Sequence, residues 1–177
     1  MMSDSLNPNS GRSTGTAGIK QTFSPQKTLR PTNEYLTDLS GNEGDYCVLR
    51  CTLPAGAVVP MHSHPDRETF YVLSGKLNAL MVDRWQELEP GDVFDVRDGA
   101  KHAWRNSSQA AASMICVTTT KLAKFLREIS VSVDDALPME EQARHFLKLV
   151  QANGYWLASP EENAAVGLEV NWNELHD

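Results

Sequence analysis

Between Asp45 and Thr119 short runs of alternating apolar and polar residues are broken by turn residues at intervals of about ten. That rhythm limits the possible folds more than any other feature. Asp45–Leu53 sets the pattern: Cys47, Leu49, Cys51 and Leu53 fall on one face of a strand, and Tyr46, Val48, Arg50 and Thr52 on the other. Pro54-Ala-Gly56 ends it with turn chemistry. Val58–His64 reads as a second strand. Thr69–Leu73 is aromatic and β-branched, and Ser74-Gly75-Lys76 predicts a hairpin into Leu77–Val82. Glu89-Pro-Gly-Asp92 predicts a turn before Val93–Val96, and Asp98-Gly99 another before His102–Asn106. Ala111–Thr119 closes the series, and residues 23–53 hold further strand-like pieces. Many short, evenly punctuated strands predict an all-β sandwich or barrel.

The period changes at Thr120. Leu122, Phe125, Leu126 and Ile129 make a helical stripe over Lys121–Ile129. Pro138 suits the first turn of a second helix, with Glu140 and Glu141 placed for its dipole. Met139, Ala143, Phe146, Leu147 and Val150 give that helix an apolar face, and Gly154 a stop. Ser159-Pro-Glu-Glu162 reads as a capping box opening a short third helix. Residues 121–177 are too few for a core of their own. They form a C-terminal helical extension packed on the barrel of residues 23–120 or on a neighbouring subunit. Residues 1–22, rich in Ser, Thr, Asn and Gly, read as a flexible N-terminal tail.

The chain's 177 residues and 41% apolar content suffice for one domain with a core. Its formal charge is -7, and from Glu128 onward ten acidic residues face two basic ones. Such a surface repels phosphate, so no nucleic-acid partner is expected, and solubility explains the charge. Cys47, Cys51 and Cys116 form no C-x-x-C pair, and reduced thiols in a cytoplasmic location are expected. They read as buried apolar thiols rather than ligands. No signal-like apolar run opens the chain, and no run nears the roughly 20 apolar residues that span a membrane.

Gly56-Ala-Val-Val-Pro-Met-His62-Ser-His64-Pro-Asp-Arg-Glu68, closed by Gly75, carries the chemistry. In a strand, residues i and i+2 share a face, so His62 and His64 can both face inward. Pro65-Asp-Arg67 turns the chain, and Glu68 begins the adjacent strand on the same side as Phe70 and Val72. His102 arrives from elsewhere in the sheet. A lone H-x-H is more often two surface histidines. Histidines and a glutamate clustered in a closed barrel are costly unless they coordinate something. Imidazole and carboxylate suit one divalent transition metal: Fe, Mn, Ni, Co or Zn. Four ligands on an ion that prefers six leave two places for water, substrate or dioxygen; zinc, preferring four, leaves less room.

These residues resemble a known family. Gly56, His62, His64, Glu68 and Gly75 meet every fixed position of the first cupin motif, G-x5-H-x-H-x3-E-x6-G. The second, G-x5-P-x-G-x2-H-x3-N, matches at Gly91, Gly99, His102 and Asn106, with Arg97 in place of its proline. That departure loosens a turn and removes no ligand. The match covers roughly residues 40–119. A single barrel followed by helices is similar to the small quercetin dioxygenase-like bacterial cupins. The resemblance implies a double-stranded β-helix (a jelly-roll or cupin barrel), a metal held by His62, His64, Glu68 and His102, and a homodimer.

The function expected is therefore metal-dependent oxygenase chemistry on a small organic substrate. An isomerase or lyase using the metal as a Lewis acid is the nearest alternative. A non-catalytic metal- or ligand-binding module is the alternative of another class. Glu68 is the one ligand that could also serve as a catalytic general base. Phe70 and Trp104 are candidates for binding substrate, with core packing as the competing reading. Arg67 and Lys101 flank ligands but read as solvent-facing, as do His145 and His176. The motif glycines read as backbone requirements of turns.

Overall fold

The structure, a computed structural model, describes residues 31–97, 99–131 and 139–169, without the side chains of Val131, Met139 and Glu140. The expected N-terminal tail of residues 1–22, Asp98, Pro138 and His176 lie outside the described residues. The strands are β1 Thr32–Tyr35, β2 Tyr46–Leu53, β3 Val58–Ser63, β4 Glu68–Ser74, β5 Leu77–Met81, β6 Arg84–Leu88, β7 Val93–Val96, β8 His102–Arg105 and β9 Ala112–Thr119. Helices α1 Thr120–Val131 and α2 Met139–Ala152 follow, then β10 Trp156–Leu157 and α3 Pro160–Ala165. Two five-stranded antiparallel sheets result, ordered β1-β2-β9-β4-β7 and β10-β3-β8-β5-β6. Together they form the all-β barrel with C-terminal helices that the strand pattern predicts, in the double-stranded β-helix form that the resemblance implies.

The inner faces follow from alternation. On β2, Cys47, Leu49, Cys51 and Leu53 are buried, as predicted, and meet Val72, Leu77, Phe94, Val96, Met114 and Cys116 in the barrel core. Each fully buried aliphatic side chain there contributes about 1.5–3 kcal/mol.

Three local readings need correction. Ser74-Gly75-Lys76 is not a hairpin, because β4 and β5 lie in different sheets and this turn carries the chain across the barrel. Gly75 has φ +76, and a Cβ there would stand 2.7 Å from the Ala111 carbonyl oxygen and from Ala112 Cα. The glycine answers a close backbone approach, not a two-residue loop. The true hairpin joins β5 to β6, a strand the sequence reading passes over. Met81 pairs with Arg84, so Val82 and Asp83 form the loop. Val82 has φ 59, a region that β-branched residues seldom enter, so no turn signature marks it. The third correction is β10, a strand also passed over, which extends the second sheet beside β3.

The C-terminal segment packs on the barrel. Leu122, Phe125, Leu126 and Ile129 of α1 join Val150 of α2 in a small cluster, as the stripe predicts. On α2 the inward face includes Leu149 rather than Leu147, which is 45% exposed. The helix ends as expected at Gly154, φ +69, in a Schellman motif: Tyr155 N–H donates to the Val150 carbonyl and Gly154 N–H to that of Gln151. Ser159 caps α3, reciprocally with Glu162. Asn163, fully buried, accepts the Met61 N–H at 2.9 Å and donates to the Ala158 and Ser159 carbonyls. Met61, Leu80, Ala103, Ala158 and Leu168 then pack between the second sheet and this segment. No helix among the described residues is long and apolar enough to cross a membrane.

Candidate metal centre

A β-bulge sets the first ligand. Val59 pairs with Trp104 and His62 with His102, so three steps on β3 answer two on β8. Val59 packs on the barrel core; strict alternation would turn His62 outward. The extra residue reverses the parity and brings His62 opposite His102. Pro60, which cannot donate to a ladder, sits inside the bulge. His64 follows just after β3, Glu68 opens β4 and His102 opens β8. Thus three loop-strand junctions at one end of the barrel supply the four groups.

The rings of His62 and His102 lie 4.1 Å apart, His64 and His102 5.1 Å, and His62 and His64 5.6 Å. One nitrogen of each ring falls within 4.8 Å of one of each of the others. Each ring is anchored by its other nitrogen to a main-chain carbonyl two residues away. His62 Nδ1 bonds to Pro60 O at 2.8 Å, His64 Nδ1 to Asp66 O at 3.0 Å and His102 Nδ1 to Ala100 O at 2.9 Å. A carbonyl only accepts, so each Nδ1 carries the proton. In the neutral rings the lone pair then sits on Nε2.

Glu68 closes the group. Its Oε2 is 3.1 Å from His102 Nε2 and 3.2 Å from His64 Nε2. The His64 contact is a close approach rather than a directed hydrogen bond, since buried His64 Nε2 has no partner in bonding geometry. Lone pairs facing a carboxylate at these distances repel unless a proton or cation lies among them. Three nitrogens and one carboxylate oxygen of this kind fit a divalent transition ion.

The titration behaviour has the same source. Burial, with His102 adding to it, brings His62 down to about 3, so that ring is neutral at any ordinary pH. Burial also opposes charge on His64, but Glu68 outweighs it and raises that pKa. For Glu68, burial would raise the pKa, yet His102 and His64 prevail and hold the carboxyl far below its usual range. The carboxylate's other oxygen faces Cys116 Sγ at 3.8 Å. Cys51 beside it, burial and the Glu68 charge keep the Cys116 thiol well above its ordinary range, so it stays a donor. The three cysteines are free and buried, as expected.

Phe70 and Trp104 lie one step deeper on the same strands. Their rings pack edge-on at 4.7 Å, and Phe94 meets Trp104 at 5.0 Å. Both belong to the barrel core. A cleft of about 280 Å³ reaches His64 from outside, lined also by Ser63, Pro65, Gly99, Gly154 and Trp156, not by these aromatic rings. Arg67 is exposed and pairs with Asp95 at 3.2 Å; Lys101 lies 3.9 Å from the centre of the Trp156 ring. Arg97, where the motif has proline, pairs with Asp95, and its carbonyl still accepts the Ala100 N–H at 3.0 Å. Asn106 is structural: buried, it donates to the Leu53 and Ala110 carbonyls. His145 is exposed on α2.

The sequence reading gives no role to the bulge, Asp66 or Tyr155, and none beyond a buried thiol to Cys116. Pro60 inside a strand-like run was the one available signal for the bulge. Cys116, Tyr155 and the Asp66 side chain act through contacts distant in sequence.

Residues 49–118 match the family model of the Cupin domain. That match, together with the barrel and its motifs, supports the cupin superfamily. A search of curated proteins finds no match. Among solved structures, the chain is similar to the DMSP lyase DddQ from Ruegeria pomeroyi DSS-3 at 24% identity and TM-score 0.45. The likeness covers 51% of this chain and 47% of that one, so the chain spans about half of DddQ's length. It is also similar to the polyketide cyclase RemF from Streptomyces resistomycificus, at 18% identity and TM-score 0.47 over 51% and 65% of the two chains. A third is the Cupin_2 domain of an XRE family transcriptional regulator from Enterobacter cloacae, at 22% identity and TM-score 0.44 over 50% and 95%. Likenesses at this level carry no activity across.

Proposed function

We propose that this chain is a metal-dependent enzyme that acts on a small organic molecule, and that the reaction is an oxygenation. The observation that carries the reading is the convergence of three Nδ1-anchored imidazoles within 4.8 Å of one another, with Glu68 against two of them, His64 and His102. His62, His64, Glu68 and His102 would hold the ion. When bound, a redox-active ion supplies the one-electron chemistry that dioxygen requires, and a redox-inert one supplies Lewis acidity. The chain's own residues do the rest. The backbone anchors fix the ring orientations, and the depressed Glu68 stays anionic. To serve as a base, Glu68 must first give up its contacts with His64 and His102. The aromatic cluster of Phe70, Phe94 and Trp104 packs the barrel behind the ligand groups; Phe70 and Trp104 would meet any substrate that reaches past the ion.

The test is turnover with and without dioxygen, on diketones, flavonols, phenols and sugars, using protein of measured metal content. Oxygen consumption matched to product supports the oxygenase. Equal turnover under strict anaerobiosis replaces it with an isomerase or lyase. Ligand binding without turnover replaces it with a binding module. The reading includes a cytoplasmic homodimer. The outer face of the first sheet supports the dimer by exposing Tyr71, Val93, Val117 and Tyr46. A monomer by sedimentation at micromolar concentration would remove that part.

A further inference from the structure

Tyr155 lies 89 residues after Asp66 in sequence and well beyond the Cupin-domain match, yet its hydroxyl donates to Asp66 Oδ2 at 2.7 Å. The Thr119 hydroxyl donates to the other oxygen, Oδ1. Asp66 is buried, and its main-chain carbonyl is the group that anchors His64 Nδ1. The Tyr155 ring stands 5.3 Å from that of His64. Burial first, then Asp66, holds the phenol far above its ordinary range, so it remains a donor.

Tyr155 is itself fixed from behind. Its N–H closes the Schellman motif of α2, and its ring meets Phe125 edge-on at 4.9 Å. Two residues on, Leu157 pairs with His62, and the Ala158 N–H bonds to the Met61 carbonyl at 2.9 Å. The C-terminal segment thus covers the free edge of the strand that bears His62 and pins the loop that orients His64.

We propose that Tyr155 is a positioning residue of the metal centre: through Asp66 it fixes the Nδ1–H tautomer and the orientation of His64, so that the C-terminal segment sets metal affinity. The inference rests on the metal-centre reading above. Partners behind a ligating histidine carry roughly 10- to 100-fold in metal affinity.

The test is a cobalt(II) titration of metal-free protein, followed by the visible absorption of the bound ion. Tyr155→Phe keeps the ring and removes only the hydroxyl. It should weaken cobalt binding by roughly 10-fold or more and alter the absorption bands. Asp66→Ala, which removes the acceptor, should act in the same direction. Ile129→Ala thins the same apolar cluster without touching the hydrogen bonds; it should lower the melting temperature and leave affinity and bands unchanged. At a pH high enough to leave His64 neutral, long-range proton–nitrogen spectra of the metal-free protein should show it protonated at Nδ1, with that preference lost in Tyr155→Phe. Wild-type affinity, bands and tautomer in both Tyr155→Phe and Asp66→Ala would overturn the inference while leaving the metal centre standing. Wild-type protein that takes up no cobalt would overturn the metal reading, and this inference with it.

Discussion

Glu68 and Phe70 stand two residues apart on β4, and His102 and Trp104 two residues apart on β8, all facing into the barrel. The first of each pair belongs to a cluster of charge and lone pairs; the second belongs to an aromatic cluster with ring centres 4.7 and 5.0 Å apart. One turn of alternation separates chemistry from core. The deep end needs nothing from outside, because its rings gain by being buried. The rim places a carboxylate 3.1 and 3.2 Å from two ring nitrogens, an arrangement that costs free energy until a cation or proton is shared among them. The same inward-facing period thus holds both a stabilising element and a site that the rest of the barrel must support.

The largest effect should come at the rim. His62→Ala should lower metal affinity by more than the roughly 10- to 100-fold that outer partners carry, measured by equilibrium dialysis, with little change in metal-free stability. Full occupancy in that variant would break the division between the two ends. At the deep end, Trp104→Ala should cost about 3–5 kcal/mol in denaturant unfolding and leave metal stoichiometry at the wild-type value. Loss of the metal instead would merge the two ends into one unit.

The pH dependence of stability sharpens the contrast further. The His64 pKa is raised on folding, so its contribution is complete below the ordinary value of about 6.5 and is lost as pH rises through the higher folded value. Metal-free protein should therefore melt at lower temperature as pH climbs above about 6.5. Glu68→Gln should flatten that slope, and Trp104→Ala should not. A flat profile in metal-free wild type would contradict the electrostatics of the rim. The smallest effect lies on the outer face of the barrel, at Asp95 of β7. The Thr69 hydroxyl chiefly, then Arg97 and Arg67, bring it to about 2 despite partial burial. Its contribution is present above the usual value of 3.8 and is lost as pH falls through about 2. Asp95→Asn should lower stability by at most about 1 kcal/mol at neutral pH, and the gap from wild type should shrink below about pH 4. A gap that persists to pH 2 would assign the effect to packing.

The features legible in the sequence are those written locally. The alternation of β2 and β9, the capping box at Ser159 and the stop at Gly154 each depend on neighbours in the chain, and each is found where the residues place it. His62, His64 and His102 were legible as a group because two motifs hold them at fixed spacing. What brings His62 inward was not, because the bulge depends on the register with β8. The crossing at Gly75 looked like a hairpin for the same reason: a glycine at positive φ serves a tight loop and a close backbone approach equally well. Tyr155 and Asp66 meet only after both sheets and α2 have formed, and no spacing in the chain announces that contact.

The central claim is that His62, His64, Glu68 and His102 are the ligands of one ion. X-ray absorption of metal-loaded protein tests it most directly, by counting the imidazole and carboxylate scatterers around the ion. Three imidazoles, at least one carboxylate oxygen and no sulfur are expected. Fewer than three imidazoles, or a sulfur scatterer from Cys51 or Cys116, would contradict it.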